Sequence, residues 1–477
     1  MLGYLGSVLA VLLPILHAAG VLSAIHAVLH ARTPQGAIAW SMSLVTFPYV
    51  SLPLYWVLGR DKFNGYVQAL RAGNLSRYRH REVAEFLRLL EPFRDTGDDE
   101  DQTTFERLAR MPFTTHNRVD LLIDAEKAFA SIFEGMRAAR NYVLVLFYII
   151  DDDEAGRQFK ARLIETARRG IRTYLLYDEV GCMKLPWGYI RELEEAGVEV
   201  HAFQTTRGRD NLLQYNFRNH RKIVVVDGRI GYTGGFNVGD DYFGRNPFYG
   251  SWRDTHVRVE GPAVQGLQLA FCEDWYWATG TLPELEWSPG AAPGGSHSAV
   301  YLSIQPTDDL AVGVLFFVHC INAANERLWI ASPYFIPDPS VMDALHLAAL
   351  RGVDVRIIIP ARWDILMCWL AAYSYLPELE ETGIRVYRYE AGHPHQKVVL
   401  IDDRYAWVGS ANMDNRSMRL NFEGNLVVKG SRFARDVETM LIQDMENSRL
   451  VLEGDYQRRS LPFKIAVQLA RLFTPIL

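Results

Sequence analysis

The chain has 477 residues, 49% of them apolar, enough to bury a sizeable core in two or three domains and too many for a disordered protein. Its 50 Lys and Arg against 56 Asp and Glu leave a formal charge of -6, which argues against a broad basic surface built to grip nucleic acid. Cys182, Cys272, Cys320 and Cys368 lie far apart with no CxxC and no metal-ligand spacing, so they read as reduced core thiols.

From Met1 to Ala31 there is no Asp, Glu, Lys or Arg, and a second such run extends from Thr33 to Gly59. Each is long enough to cross a hydrocarbon core of ~30 Å, which needs roughly 20 helical residues. Only Arg32 and the neighbouring Thr-Pro-Gln-Gly mark a turn between them, so the pattern predicts a helical hairpin in the membrane. A cleaved signal peptide would carry a positive leader before a short apolar core, whereas here the core starts at Leu2 and is too long. Arg60, Lys62, Arg71, Arg77, Arg79 and Arg81 follow the second run, and the positive-inside rule then puts everything beyond residue 60 in the cytoplasm.

The acidic stretch EPFRDTGDDEDQTTFE, 91 to 106, reads as a solvated link. Strand and helix alternate beyond it. NYVLVLFYII (141 to 150) is a β-prone run, GRQFKARLIETARRG (156 to 170) is helical in period, IRTYLLYDEV (171 to 180) is a strand, and IRELEEAG precedes VEVHAF. SPGAAPGGSHSA, 288 to 299, suits no regular element and marks a boundary. The same order then returns as RLWIASPYFIPD, SVMDALHLAALRG, VDVRIIIP, LPELEETG and IRVYRYE. This is one domain duplicated rather than a solenoid of short repeats.

Each copy also carries one further motif. NHRKIVVVDGRIGYTGGFN at 219 to 237 and HPHQKVVLIDDRYAWVGSAN at 393 to 412 share the spacing HxKx4Dx6Gx2N. Alternation on a strand puts His220 and Lys222 on one face, and His395 and Lys397 likewise, ahead of apolar runs that enter the core. Asp227-Gly228 and Asp402-Asp403 predict hairpin turns, and the return strands end at Asn237 and Asn412. An imidazole, an ammonium and an amide suit a phosphodiester. The cation and amide bind non-bridging oxygens, and the imidazole attacks phosphorus or exchanges a proton. A displacement needs a nucleophile and a proton donor on opposite sides of phosphorus, so two copies predict a single site between the halves. His393 with His395 lacks the carboxylate or thiol that would complete a metal set, and Asp151 to Asp153 read as a strand-end turn.

Both stretches resemble the HKD signature of the phospholipase D superfamily. With the apolar N-terminus, FYIIDDD, SPYFIPD and the C-terminal QLARLFTPIL, nearly the whole chain is similar to its bacterial cardiolipin synthases. The resemblance implies an α/β fold of two duplicated phospholipase D-like domains, each a mixed sheet flanked by helices. Its expected plan is two membrane helices over 1–60, a basic then acidic linker over 61–107, domains over 108–290 and 291–460, and a C-terminal amphipathic helix over 461–477. It implies catalytic roles for His220, Lys222, Asp227, His395, Lys397 and Asp402, the aspartates being positional. It assigns Asp254 and Glu423 as downstream carboxylates that hold the imidazoles, and Asn237, Asn412 and Ser410 as phosphate-binding or supporting groups. Gly235 stands where the second copy has Ser410, so the first side is expected to lack a hydroxyl contact.

The implied reaction joins two phosphatidylglycerol molecules into cardiolipin and glycerol through a phosphohistidine, with no metal, no cofactor and no nucleic acid. His220 is the implied attacking group. The expected setting is the bacterial cytoplasmic (inner) membrane, with the bilayer as partner, multiple spans, cytoplasmic catalytic domains and the oligomeric state left open. A hydrolytic phospholipase D is the alternative. Two apolar segments are open between core packing and lipid contact: PARWDILMCWLAAYSYLP at 360 to 377, with Trp363, Met367, Trp369 and Tyr373, and the tail FKIAVQLARLFTPIL at 463 to 477.

Overall fold

A computed structural model describes residues 2–31, 33–59, 63, 66, 85–97, 99–207, 214, 216–308 and 310–477. The chain divides into two compact units, one formed by 1–68 with 205–217 and one by 69–204 with 218–477.

In the first unit the helix Leu2–His30 contains a span-length apolar segment, Ala10–His30, of 21 residues. The second apolar run does not form one helix. It is split into Pro34–Thr46 and Pro48–Leu58, of 13 and 11 residues, so among the described residues only one helix is long and apolar enough to cross a membrane. The break has a local cause. Pro48 has no N–H to give and its ring crowds the preceding turn, so the first helix ends at Phe47, and Pro48 opens the next. Both short helices pack on the long one, and Gly20 lets them come close, since a Cβ there would lie 2.3 Å from the Leu44 carbonyl oxygen. The basic run from Arg60 to Arg81 lies outside the described residues.

The second unit is organised by a 16-stranded mixed sheet that contains the same arrangement twice. In the first half, Tyr142–Phe147, Arg172–Asp178 and Glu199–Phe203 run parallel, and Ile223–Val226, Ile230–Gly234, Thr255–Glu260 and Thr114–Ile123 continue antiparallel. In the second half, Arg327–Ala331, Asp354–Pro360 and Arg385–Tyr389 are the parallel set. Val398–Ile401, Tyr405–Gly409, Asn421–Lys429 and His297–Ile304 follow in the same antiparallel order. The halves join where Thr114 pairs with Ala299 and Asn117 with His297. Each motif strand, IVVV or VVLI, is buried along its whole length, as expected of a strand covered on both faces. Helices cover each half over separate apolar cores.

The acidic stretch is not a solvated link. Residues Glu100–Ala109 form a helix capped by the Asp99 carboxylate, with Glu100 and Asp101 in its first turn, where the helix dipole favours them. Phe105 is buried from that helix against Phe316 and Tyr405, and Asp99 pairs with Arg404. At the boundary segment, strand structure begins at His297 rather than after residue 299. All four cysteines are buried thiols.

Candidate active site

Each motif enters the site just before its strand. Residues 220–222 and 395–397 are irregular, and the strands start at Ile223 and Val398. Two short bridges stitch these segments to the opposite half. Arg218–Asn219 pairs with Asn421–Phe422, and the His220 N–H donates to the Phe422 carbonyl at 2.9 Å. Trp252–Arg253 pairs with His393–Pro394, and the His395 N–H donates to the Arg253 carbonyl at 2.7 Å.

The consequence is a crossing of carboxylates. His220 Nδ1 lies 3.0 Å from both oxygens of Glu423, and His395 Nδ1 lies 2.8 Å from Asp254 Oδ2. Each imidazole is thus held by the other half and not by the carboxylate downstream in its own copy. Such a partner fixes the tautomer, leaving the other ring nitrogen to face the site. Glu423 also accepts from Ser410, from Ser417 at 2.8 Å and from Asn421 at 3.1 Å. Gly235 replaces the Ser410 hydroxyl for a steric reason: a Cβ at 235 would lie 2.0 Å from Asp254 Oδ1.

Both lysines are buried. Lys222 Nζ donates to the His220 carbonyl at 2.7 Å, and Lys397 Nζ lies 2.9 and 3.1 Å from the two ring nitrogens of His395. Burial pushes His220 down to about 4 despite the Glu423 charge, and burial with the Lys397 charge holds His395 well below its ordinary value. The same desolvation lowers Lys222 and brings Lys397 to about 8. Glu423 stays below its usual range because the His220 contact and its hydrogen bonds outweigh the burial that raises it. Burial thus disfavours the charged forms of both imidazoles and both lysines, a setting that a bound anion relieves.

The remaining expected residues divide. Asn237 is buried with its amide engaged by protein, Oδ1 accepting from the Ile149 N–H at 3.2 Å and Nδ2 donating to the Tyr242 hydroxyl at 2.7 Å. Asn412 is buried, and its backbone N–H donates to Ser417 Oγ at 3.0 Å. Asp227 and Asp402 stand at the far ends of the motif strands, roughly 13 Å along at 3.3 Å per residue. The Asp227 carboxylate accepts the N–H groups of Arg140, Asn141 and Tyr142, and that of Asp402 accepts those of Asn325, Glu326 and Arg327. Asp153 and Asp338 cap helices, accepting from Gly156 and Ser340. Among the described residues no three His, Cys, Asp or Glu side chains are grouped to hold a metal ion.

Several site residues carry no spacing signal of their own. Tyr148 stands edge-on to His220 at 5.0 Å between ring centroids, and Trp252 and Tyr242 lie 5.1 and 6.2 Å from His395. His256 is buried, pushed by burial to about 3, and accepts the Phe236 N–H at 3.3 Å. Arg221 and Arg253 are buried in ion pairs with Asp274 and Asp444 that brace the two bridges.

Comparison with known proteins matches this architecture. The family model described as "Cardiolipin synthase, PLD-like domain" matches residues 132–267 and 317–445. Cardiolipin synthase A of Pseudomonas fluorescens (strain SBW25) is 45% identical over 472 residues, covering 98% of both chains, and that of Pseudomonas putida (strain W619) is 44% identical over 468 residues, again 98% of each. The crystal structure of phosphatidylserine synthase from Haemophilus influenzae Rd KW20 shares the fold with a TM-score of 0.58 at 16% identity, covering 80% of this chain and 100% of that one. The chain belongs to the cardiolipin synthase family of phospholipase D-like phosphatidyltransferases.

Proposed function

We propose that the chain transfers a phosphatidyl group from one phosphatidylglycerol to another, giving cardiolipin and glycerol, at the one site its halves share. The observation that carries this reading is the pair of crossed imidazole–carboxylate contacts with a lysine beside each ring. His220, neutral and oriented by Glu423, attacks phosphorus through Nε2. The bond to the glycerol oxygen breaks, and His395 protonates the departing alkoxide. Burial and the Lys397 charge keep His395 neutral, and arrival of the phosphodiester anion offsets the second of these, so substrate binding and protonation are coupled. His395 then takes the proton of a primary hydroxyl on the second phosphatidylglycerol. That oxygen attacks phosphorus, the P–N bond breaks, and its electron pair returns to His220. Lys222 and Lys397 hold the non-bridging oxygens, with Asn237 and Asn412 at the border of the same position. Asp227 and Asp402 anchor the strands.

The N-terminal helices hold the chain at the bacterial cytoplasmic membrane, with the kinked segment 34–58 returning the chain and the catalytic unit on the cytoplasmic side. Purified protein given pure phosphatidylglycerol should release cardiolipin and glycerol in equal amounts, and phosphatidic acid in place of cardiolipin would favour a hydrolytic phospholipase D. With labelled substrate, His395→Ala should still trap phosphatidyl-enzyme and His220→Ala should trap none. The reverse exchanges the two roles, and inversion at phosphorus discards the covalent route.

A further inference from the structure

The halves repeat each other strand for strand, yet the side chains around the two histidines differ. His393 stands two residues ahead of its motif histidine, where the first copy has Arg218. Trp252 stands two residues ahead of Asp254, where the second copy has Asn421 two ahead of Glu423. The short bridge between the halves sets His393 directly opposite Trp252, and the His393 N–H donates to the Ser251 carbonyl at 2.8 Å. Their rings lie 4.7 Å apart between centroids. Each also neighbours His395, the Trp252 ring at 5.1 Å and the His393 ring at 6.3 Å, and Tyr249 packs on both at 5.2 and 5.5 Å.

Both side chains are more than nine-tenths buried, and each keeps a polar atom, His393 Nε2 and Trp252 Nε1, with no hydrogen-bond partner among the described residues. Burying such an atom unpaired is unfavourable, so two of them side by side mark a position for a polar group of a ligand. A carboxylate completes the set. Asp364 Oδ2 lies 3.7 Å from His393 Nε2, too far for a hydrogen bond and close enough for one oxygen to bridge the two. That carboxylate is held in place by the Tyr334 hydroxyl, which donates to Oδ2 at 2.5 Å, and by the Ile365 N–H, which donates to Oδ1 at 2.6 Å. An indole N–H that only donates, an imidazole nitrogen and a carboxylate that accepts together fit a hydroxyl, which gives and takes hydrogen bonds at once. They do not fit a phosphate, which a carboxylate repels.

We infer that His393, Trp252 and Asp364 form a hydroxyl-binding subsite beside His395 that holds the secondary hydroxyl of the glycerol head group. This rests on the reading that phosphatidylglycerol is both donor and acceptor and that His395 serves the alcohol in both steps. The oxygen at His395 is a primary oxygen of glycerol each time, first the one that leaves and then the one that attacks. The secondary hydroxyl sits on the neighbouring carbon in both cases, so one fixed set of partners beside His395 orients both alcohols. Water has no second hydroxyl to place there, and the subsite therefore favours transfer over hydrolysis.

The test is a competition between two labelled alcohols, glycerol and 1,3-propanediol, in the full-length enzyme with phosphatidylglycerol in detergent micelles as donor. The two differ only in the secondary hydroxyl, and the ratio of the labelled lipids formed at equal concentration reads their relative kcat/KM. Wild-type enzyme should favour glycerol by at least about tenfold, the scale of a lost hydrogen bond to a charged group. His393→Phe and Trp252→Phe keep an aromatic ring in place and should each bring the ratio several-fold closer to equality. A wild-type enzyme with no preference overturns the subsite, as does a His393→Phe variant that lowers both reactions in parallel or leaves the ratio unchanged. Trp252→Phe decides the matter on the same terms if His393→Phe folds poorly. Wild-type enzyme that incorporates neither alcohol overturns the functional reading itself, because glycerol exchange is the reverse of its first step.

Discussion

Burial, more than neighbouring charge, sets the protonation of the site, and one group brings that effect into an accessible pH range. Lys397 is pushed down from its ordinary value to about 8, so it carries its charge below that pH and loses it above. A phosphodiester does not titrate there. The KM for phosphatidylglycerol should therefore rise as pH climbs through about 8, and a KM flat to pH 10 would show that the Lys397 ammonium does not hold the lipid. The crossed carboxylates give a second expectation at this scale. Loss of an acid–base partner lowers rates by roughly 10²- to 10⁴-fold. Glu423→Gln should be strongly non-additive with His220→Ala, and Asp254→Asn with His395→Ala, whereas Glu423→Gln with His395→Ala should combine more nearly independently. Rates from the three double-mutant cycles decide whether the partners are crossed in solution. The imidazoles and ammonium groups are legible because two positions on one chain specify them. Their partners are not, because spacing along a copy cannot tell which half a folded carboxylate will face.

The elements explain what the residues only suggest. Asp402 lies a strand's length from the chemistry and accepts three backbone N–H groups at the start of Arg327–Ala331, so Asp402→Ala should destabilise the fold by about 1–3 kcal/mol. Denaturant melts should show this loss while residual folded enzyme keeps its turnover. The C-terminal helix Leu461–Arg471 packs on the protein with one face and leaves apolar side chains exposed on the other. Phe463 packs on Trp369 and Tyr373, and Val467 and Ala470 are buried, whereas Leu461, Ile465 and Leu469 on the other face are 69%, 51% and 56% exposed. Trp363 and Ile365, just before the partner helix Leu366–Tyr373, and its first residue Leu366 are exposed as well. Ile465→Gln with Leu469→Gln should weaken binding to phosphatidylglycerol vesicles several-fold without lowering the melting temperature. A fall in melting temperature with vesicle binding intact would make this face a packing surface. Two elements differ from the sequence expectation for definite reasons. The charge of the acidic stretch masked a helix whose carboxylates serve its N-terminal end, and the second apolar run was counted by composition although Pro48 interrupts it.

For the whole molecule, duplication was the most legible feature, since paired segments of strand and helix recur in one order and the sheet repeats that order strand for strand. Sidedness is the matching prediction. The four native thiols are buried, so a cysteine introduced at exposed Gly290 gives a clean probe. A membrane-impermeant maleimide should not label Gly290→Cys in intact cells and should label it after permeabilisation. Labelling from outside would invert the orientation.

The bridges between the halves also bear on how the protein is made. A growing chain emerges with His220, Lys222 and Asp254 long before Glu423 has been synthesised, and Asp254 waits for a histidine that lies in the later half. The early half consequently has an imidazole without the carboxylate that holds it and a carboxylate without its imidazole. On the proposed mechanism, then, a chain that stops before Glu423 should show no transfer, and activity should appear only once both halves have been made.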